Sequence, residues 1–396
     1  MVTTSVFAGY SLSRSTLDAL ARITKTWHDE FMKITAAVLP SHDGAFEVRE
    51  LEISDPRPGE VLVRVVGAGM CHTDLLARTP GAPFPLPVVL GHEGSGIVEA
   101  VGTGVTSVVP GDKVVMSYAS CGKCTNCSTG FPQYCDLFYP LNFMGSRMDG
   151  STPLTSPDGT NMACCWFGQS SFANYAMASE RNVVKVTADD VKLELLGPLG
   201  CGFQTGAGAV INSLKVRAGT SIAIYGAGAV GLAAVMAAKI AGCSIIIAVD
   251  LHDSRLALAH ELGATHTLNA KSTANIVESV QQITAGGAQY AFDTTGVQSV
   301  VRGAVDALRP TGVCCLVGAG LAEFTLEGSG FLFGKTVMGV IEGDAFPGEF
   351  IPKMIEWHRR GQFPIEKLIK TYRLDQINEA QHDSETGVTI KPVFVF

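Results

Sequence analysis

The sequence predicts an α/β protein of two unlike parts: a mostly β, barrel-type part and a doubly wound parallel sheet. Three observations predict it. Short β-like runs separated by turns begin at Met32, strands and helices alternate after about Leu214, and a glycine-rich turn, "GAGAVG", stands at the head of that alternation.

Composition permits this reading. The chain has 396 residues, 46% hydrophobic and 17% charged, enough for large cores and unlike a disordered chain. A net charge of −8 with no basic block argues against a nucleic-acid partner. The stretch 221–249, "SIAIYGAGAVGLAAVMAAKIAGCSIIIAV", imitates a membrane span. Gly226, Gly228, Gly231, Gly242 and Lys239 interrupt it, so it reads as a buried strand–helix–strand unit and no membrane partner is expected. Residues 1–31 are rich in Ser and Thr, lack the apolar run of a signal peptide and carry Asp18, Asp29 and Glu30. They are expected to be an N-terminal extension or to precede a start at Met32. The expected location is cytoplasmic, with organellar targeting by this extension as the alternative.

The β-rich part rests on "KITAAVL", "FEVRELEI", "EVLVRVVGAG", "GSGIVEAVG" and "DKVVM", with "DPRPGE" as a turn between strands. The second part has strands "SIAIYG", "IIIAVD", "HTLNA", "YAFDTTG", "GVCCLVG" and "TVMGVI". Helices such as "DSRLALAHELG" and "VQSVVRGAVDALRP" lie between most of them. Six strands joined by crossovers predict a parallel sheet with helices on both faces. The closing "VTIKPVFVF" is expected to return to the first part. The expected division is therefore 32–205 with 342–396 as one domain and 206–341 as the other.

"IAIYGAGAVG" places G-x-G-x-x-G at Gly226, Gly228 and Gly231, closing a strand and opening a helix, and Asp250 ends the next strand. Gly226 allows the tight turn. Gly228 lets backbone N–H groups approach a pyrophosphate, Gly231 lets helix and strand pack closely, and the helix N-terminus adds partial positive charge. Asp250 suits the two ribose hydroxyls of the adenosine half and repels a 2′-phosphate, so NAD is expected over NADP. A glycine-rich turn in an unrelated α/β sheet is the alternative.

The chain has eleven cysteines, and no secretory signal accompanies them. An odd count in that setting argues against a disulfide framework. "CGKCTNCSTGFPQYC" spaces Cys121, Cys124, Cys127 and Cys135 as C-x2-C-x2-C-x7-C. Four thiolates fill a tetrahedral Zn²⁺ and leave no open position, so this loop is expected to hold a structural zinc. Cys71 in "GMCHTD", His92 in "LGHEGSG" and Cys201 in "GPLGCGFQTG" could assemble a second, open site. Taken singly, each also reads as a core thiol or a loop histidine.

With "CHTD", "GHEGSGIVEAVG", the four-cysteine loop, "GCGFQTG" and "GAGAVG" in this order, the chain resembles the zinc-dependent medium-chain alcohol dehydrogenases from Met32 to Phe396. "NFMGSRMDGSTPL" and "GPLGCGFQTGAG" look most like the aryl- or benzyl-alcohol branch. The resemblance implies a GroES-like catalytic domain and a Rossmann domain, two zinc ions per subunit and NAD. It implies that Cys71, His92 and Cys201 hold the catalytic zinc, and that Glu93 can reach it when substrate is absent. Asp74 would orient the ligand histidine, and Thr73 would bond the substrate oxygen and begin the proton exit. For the cofactor it implies His72, Thr205, Gly226, Gly228, Val230, Gly231, Asp250, Arg255 and Lys391. Near the substrate it implies Ser117, Tyr118, Phe172 and Val317. Many members end the proton relay with a histidine where this chain has Leu76, so the proton must reach water by another route.

The reaction implied is a hydride transfer between NAD(H) and a small-molecule primary aryl or allylic alcohol or its aldehyde, in a homodimer by analogy. The alternative enzyme is an S-(hydroxymethyl)glutathione dehydrogenase, which needs cations at the pocket rim that are not evident here. A non-enzymatic relative would lack the ligands that Cys71, His92, Glu93 and Cys201 supply. Adjacent Cys164 and Cys165 have no role in this reading.

Overall fold

Strand-forming runs in the first 190 residues close on themselves, and those after 220 line up in parallel. The computed structural model describes residues 31–317, 325–326 and 328–396. The expected N-terminal extension lies outside these apart from Phe31.

In the first sheet β4 (Val88–Val89), β1 (Met32–Leu39), β2 (Glu47–Ile53), β7 (Leu154–Thr155) and β8 (Asn161–Met162) are neighbours in that order. Met32 faces Ile53 and Val38 faces Glu47 across the antiparallel β1–β2 pair. A second sheet runs β10 (Val183–Lys185), β6 (Lys113–Met116), β5 (Glu93–Val101), β3 (Glu60–Gly69), β18 (Lys391–Val395) and β17 (Ile369–Tyr372), with β9 (Tyr175–Ser179) also on β3. The C-terminal strand β18 thus lies against β3, pairing Val393 with Gly69. An isolated bridge between Ala36 and Ala173 and the buried Phe172–Phe394 contact tie the two sheets together into a barrel-like body.

The third sheet runs β13 (His266–Asn269), β12 (Ile245–Asp250), β11 (Ser221–Tyr225), β14 (Ala288–Asp293), β15 (Leu308–Leu316) and β16 (Thr336–Gly339). Every pairing in it is parallel. Strand order reverses at β11, so a crevice opens beyond the carboxyl ends of β11 and β14, where open parallel sheets bind ligands.

The longer helices are α1 (Gly202–Gly208), α2 (Ala229–Ile240), α3 (Asp253–Leu262), α4 (Ile276–Ile283), α5 (Gln298–Asp306), α6 (Pro347–Arg359) and α7 (Ile377–Glu385). One helix is shorter than the sequence suggests. "VQSVVRGAVDALRP" leaves helical geometry after Asp306, and Leu308–Pro310 open β15 instead. Pro310 disfavours helical geometry at Arg309 and pushes that residue to extended backbone. Among the described residues, no helix is long and apolar enough to cross a membrane.

Two contacts bring the parts together. A Cβ on Gly206 of α1 would fall 2.0 Å from the Val230 carbonyl of α2, so only glycine allows these helices to meet. Leu199 and Phe203 share one core with Ile222 and Phe292 of the parallel sheet and Leu232 of α2. Each such buried side chain contributes about 1.5–3 kcal/mol. Cys201 and the glycine-rich turn are therefore anchored to a common core.

Candidate active site

Cys71 follows β3 and caps the short helix His72–Leu75. His92 immediately precedes β5, whose first residue is Glu93, and Cys201 caps α1. The fold brings the four side chains together: one ligand atom from each of Cys71, His92, Glu93 and Cys201 lies within 4.8 Å of all the others. Gly69 makes room for them, since a Cβ there would lie 2.1 Å from Glu93 Oε2.

Asp74 organises this cluster from below. Its buried carboxylate accepts the Cys71 N–H at 3.0 Å, the Gly91 N–H at 3.1 Å and His92 Nδ1 at 2.7 Å. Placing the proton on Nδ1 leaves Nε2 to face the cluster. Nε2 is buried and has no hydrogen-bond partner, the condition of an atom made for a ligand. Burial pushes the His92 pKa down, but Asp74 and Cys71 together outweigh it and raise the value well above that of a free imidazole. The hydrogen bond from Cys201 holds the Cys71 thiol well below its usual range against the effect of burial. Two sulfurs and an imidazole suit zinc.

Glu93 and Lys391 form a buried ion pair, with Lys391 Nζ 2.9 and 2.8 Å from the two carboxylate oxygens and 3.0 Å from the Met70 carbonyl. Glu93 also accepts the Gly202 N–H at 3.1 Å. Burial raises its pKa while Lys391 opposes the rise. The resemblance assigned Lys391 to the cofactor; here its ammonium is engaged by Glu93. Thr73 lies beside the cluster, its Oγ1 3.8 Å from Cys71 Sγ. His72 next to it is exposed, and Leu76 is half-buried.

The four-cysteine loop forms a second cluster, with all four sulfurs within 4.8 Å of one another. Cys121 Sγ lies 3.9 Å from Cys127 Sγ, and Cys124 Sγ 4.0 Å from Cys135 Sγ. Sulfurs about 2.3 Å from one tetrahedral ion stand about 3.8 Å apart, so the spacing fits a zinc. The N–H groups of Lys123 and Cys124 hold the Cys121 thiol down to about 6. None of the eleven cysteines is in a disulfide.

At the crevice Gly226 has φ 91°, and a Cβ on it would strike Thr294 Oγ1 at 2.3 Å. A Cβ on Gly231 would lie 1.8 Å from the Gly226 carbonyl, whereas one on Gly228 would meet open space. This is the division of labour expected of a turn that admits a pyrophosphate at its middle glycine. Asp250 is buried and tied to the turn, accepting the Ala227 N–H at 2.7 Å and the His252 N–H at 2.9 Å. Arg255 Nε on α3 has no hydrogen-bond partner. Thr205 and Val230 are half-buried where α1 meets α2.

The residues proposed for the substrate divide. Ser117 Oγ donates to the Gly200 carbonyl at 2.7 Å, one residue before Cys201, and Tyr118 OH donates to the Ala345 carbonyl at 2.8 Å. Val317 is half-buried beyond β15 and packs on the core shared with α1. Phe172 is fully buried, its ring packed on Phe46 and Phe394 in the barrel core.

Sequence reasoning missed Phe167, Gln204 and Glu342. Phe167 stacks on the His92 ring, with centroids 4.3 Å apart and an interplanar angle of 23°. It begins an aromatic shell of Trp166, Phe143, Phe138 and Phe84. Its backbone is left-handed, φ 50°, a strained state for a bulky residue. Gln204 Nε2 donates to Glu342 Oε2 at 3.0 Å, and burial raises the Glu342 pKa to about 7. A glutamate inside the apolar run "TVMGVIEGDAF" was the visible signal for the last of these.

Two zinc-fitting clusters, one of them open, beside a dinucleotide crevice define a zinc-dependent, NAD-linked oxidoreductase. Family comparison agrees: residues 57–188 match the alcohol dehydrogenase GroES-like domain and residues 229–359 the zinc-binding dehydrogenase domain. The chain is 47% identical to geraniol dehydrogenase of Castellaniella defragrans over 371 residues, which is 93% of this chain and 99% of that one. The crystal structure of benzyl alcohol dehydrogenase from Acinetobacter calcoaceticus superposes with a TM-score of 0.89 at 48% identity, covering 92% and 99% of the two chains. An alcohol dehydrogenase zinc-binding domain protein from Burkholderia ambifaria gives 0.91 at 48% identity over 93% and 100%. The chain belongs to the zinc-dependent medium-chain alcohol dehydrogenase family and is an NAD-dependent alcohol dehydrogenase.

Proposed function

We propose that this enzyme interconverts primary aryl or allylic alcohols and their aldehydes, with catalysis at Cys71, His92 and Cys201. The observation that carries the substrate class is the stack of Phe167 on His92, backed by the Trp166, Phe143, Phe138 and Phe84 rings. Flat, unsaturated groups gain offset or edge-to-face contacts there, each worth about 0.5–1.5 kcal/mol beyond area burial. Two relatives that share nearly half their residues with this chain, a geraniol and a benzyl alcohol dehydrogenase, support the same class.

A zinc ion held by Cys71, His92 and Cys201 would supply Lewis-acid polarisation of the substrate oxygen, and NAD in the crevice would supply the hydride acceptor. The chain's own residues do the rest. Asp74 holds the His92 ring and the Cys71 backbone in one geometry. Thr73 would relay the substrate proton onward through the cofactor ribose to water, since Leu76 offers no acceptor. Glu93 is kept back by Lys391 and the Gly202 N–H. Asp250 binds the adenosine ribose, with Arg255, Thr205, Val230 and His72 along the cofactor. Cys121, Cys124, Cys127 and Cys135 hold the structural zinc. The division at 205/206 and 341/342, a homodimeric assembly and a cytoplasmic location complete the reading.

A panel of benzyl alcohol, an allylic terpenoid alcohol, a saturated alcohol of equal length and S-(hydroxymethyl)glutathione, each with NAD and NADP, tests this. The expected order of kcat/KM puts the first two at least about tenfold ahead with NAD, the ratio for roughly 1.4 kcal/mol. A preference for the glutathione adduct would overturn it.

A further inference from the structure

The geometry points to Cys164 and Cys165 as a vicinal dithiol that a hydroperoxide oxidises to a reversible disulfide, displacing the aromatic wall over His92. The two sulfurs face each other at 3.9 Å. Cys164 is buried and Cys165 partly exposed, so a small oxidant has access to one thiol and a resolving thiol waits behind it. Arg147, clamped by Glu60 at 2.6 and 2.9 Å, lies close enough for its charge to act on both sulfurs. Burial pushes the Cys164 thiol up against the charge of Arg147, so the partly exposed Cys165 is the first point of attack.

The chemistry balances. The Cys165 thiolate attacks a peroxide oxygen, forming S–O, breaking O–O and releasing hydroxide, which takes up a proton to leave as water. The Cys164 sulfur then attacks the sulfenic sulfur, forming S–S and breaking S–O, and a second water leaves. Two thiols give up two electrons and two protons, and hydrogen peroxide is reduced to two waters. Adjacent Cα atoms stand about 3.8 Å apart, below the usual disulfide range of about 4.4–6.8 Å, so the bond is strained and readily reduced by added thiol.

The disulfide reaches the metal cluster through the backbone. The sulfurs must close to about 2.05 Å, nearly 2 Å nearer than now. Cys165 has φ 62° and Phe167 φ 50°, with buried Trp166 between them, so this turn has little slack to absorb the pull. Phe167 stacks on His92. A displacement of about 1 Å near reacting groups can cost up to about a hundredfold in rate.

The test treats the zinc-loaded full-length enzyme with limiting hydrogen peroxide. Peptide mass mapping is expected to show loss of two hydrogens within the peptide carrying both cysteines, restored by dithiothreitol. Benzyl alcohol kcat/KM is expected to fall about tenfold or more in step, with both zincs retained. Cys165→Ser is expected to keep basal activity and resist the treatment. Unmodified Cys164 and Cys165 in peroxide-treated wild type would overturn the proposal, as would equal reversible inactivation of Cys165→Ser. The activity arm rests on His92 belonging to the catalytic metal site, whereas the peptide map does not, so the two failures are distinguishable.

Discussion

Asp74→Asn probes the centre of the site without changing its shape. The carboxylate accepts three hydrogen bonds: Cys71 N–H on Oδ2, and Gly91 N–H and His92 Nδ1 on Oδ1. With the amide oxygen in place of Oδ1, the new NH₂ group points at the Cys71 N–H, 3.0 Å from the atom it replaces, and two donors collide. The reverse orientation sets the NH₂ group against two donors. At least one bond to a charged acceptor is lost, worth about 1.5–3 kcal/mol. Removing the partner that orients a ligand histidine typically costs 10–100-fold in metal affinity, about 1.4–2.8 kcal/mol, so two independent routes agree. Competition against a chromogenic chelator at fixed pH resolves the two zincs. The weaker-binding zinc in Asp74→Asn should be the catalytic one, with the four-cysteine site unchanged. Catalytic-zinc affinity within a factor of two of wild type would refute the reasoning.

Cys71→Ser should lose one zinc and all turnover while circular dichroism stays native, whereas Cys124→Ser should act mainly through a lower Tm; full activity in the first variant would unseat the ligand assignment. Asp250→Ala should weaken NAD and narrow the preference over NADP, read by cofactor titration; an unaltered NAD/NADP ratio removes Asp250 from the ribose. Lys391→Met leaves Glu93 buried without its cation and should cost about 3–5 kcal/mol in urea unfolding, less when combined with Glu93→Gln; additive losses would show that the pair is not coupled. Because Asp74 raises the His92 pKa in the metal-free chain, zinc must displace a proton from Nε2. Catalytic-site affinity should therefore rise with pH through neutrality, and a flat profile would contradict this.

What the sequence determined by itself was whatever lies within one short stretch of chain. The spacing of Cys121, Cys124, Cys127 and Cys135 brings four sulfurs together almost regardless of what surrounds them. Gly226, Gly228, Gly231 and Asp250 lie on one strand–turn–helix–strand unit, whose local geometry the glycines themselves dictate. Helix ends were less legible: Pro310 stopped α5 earlier than its apolar spacing suggested. Cys71, His92 and Cys201 were implied by resemblance, since more than a hundred residues separate the outer two and no periodicity links them.

Tertiary structure decided the rest, because burial and long-range contact are properties of the packed chain. It turned Phe172 into a core ring against Phe394 and set Phe167 over His92. It joined Lys391 to Glu93 across 298 residues. It also gave Asp74 three donors from three separate residues, so that a carboxylate ordinary in sequence became the fixed point around which the open metal site is arranged.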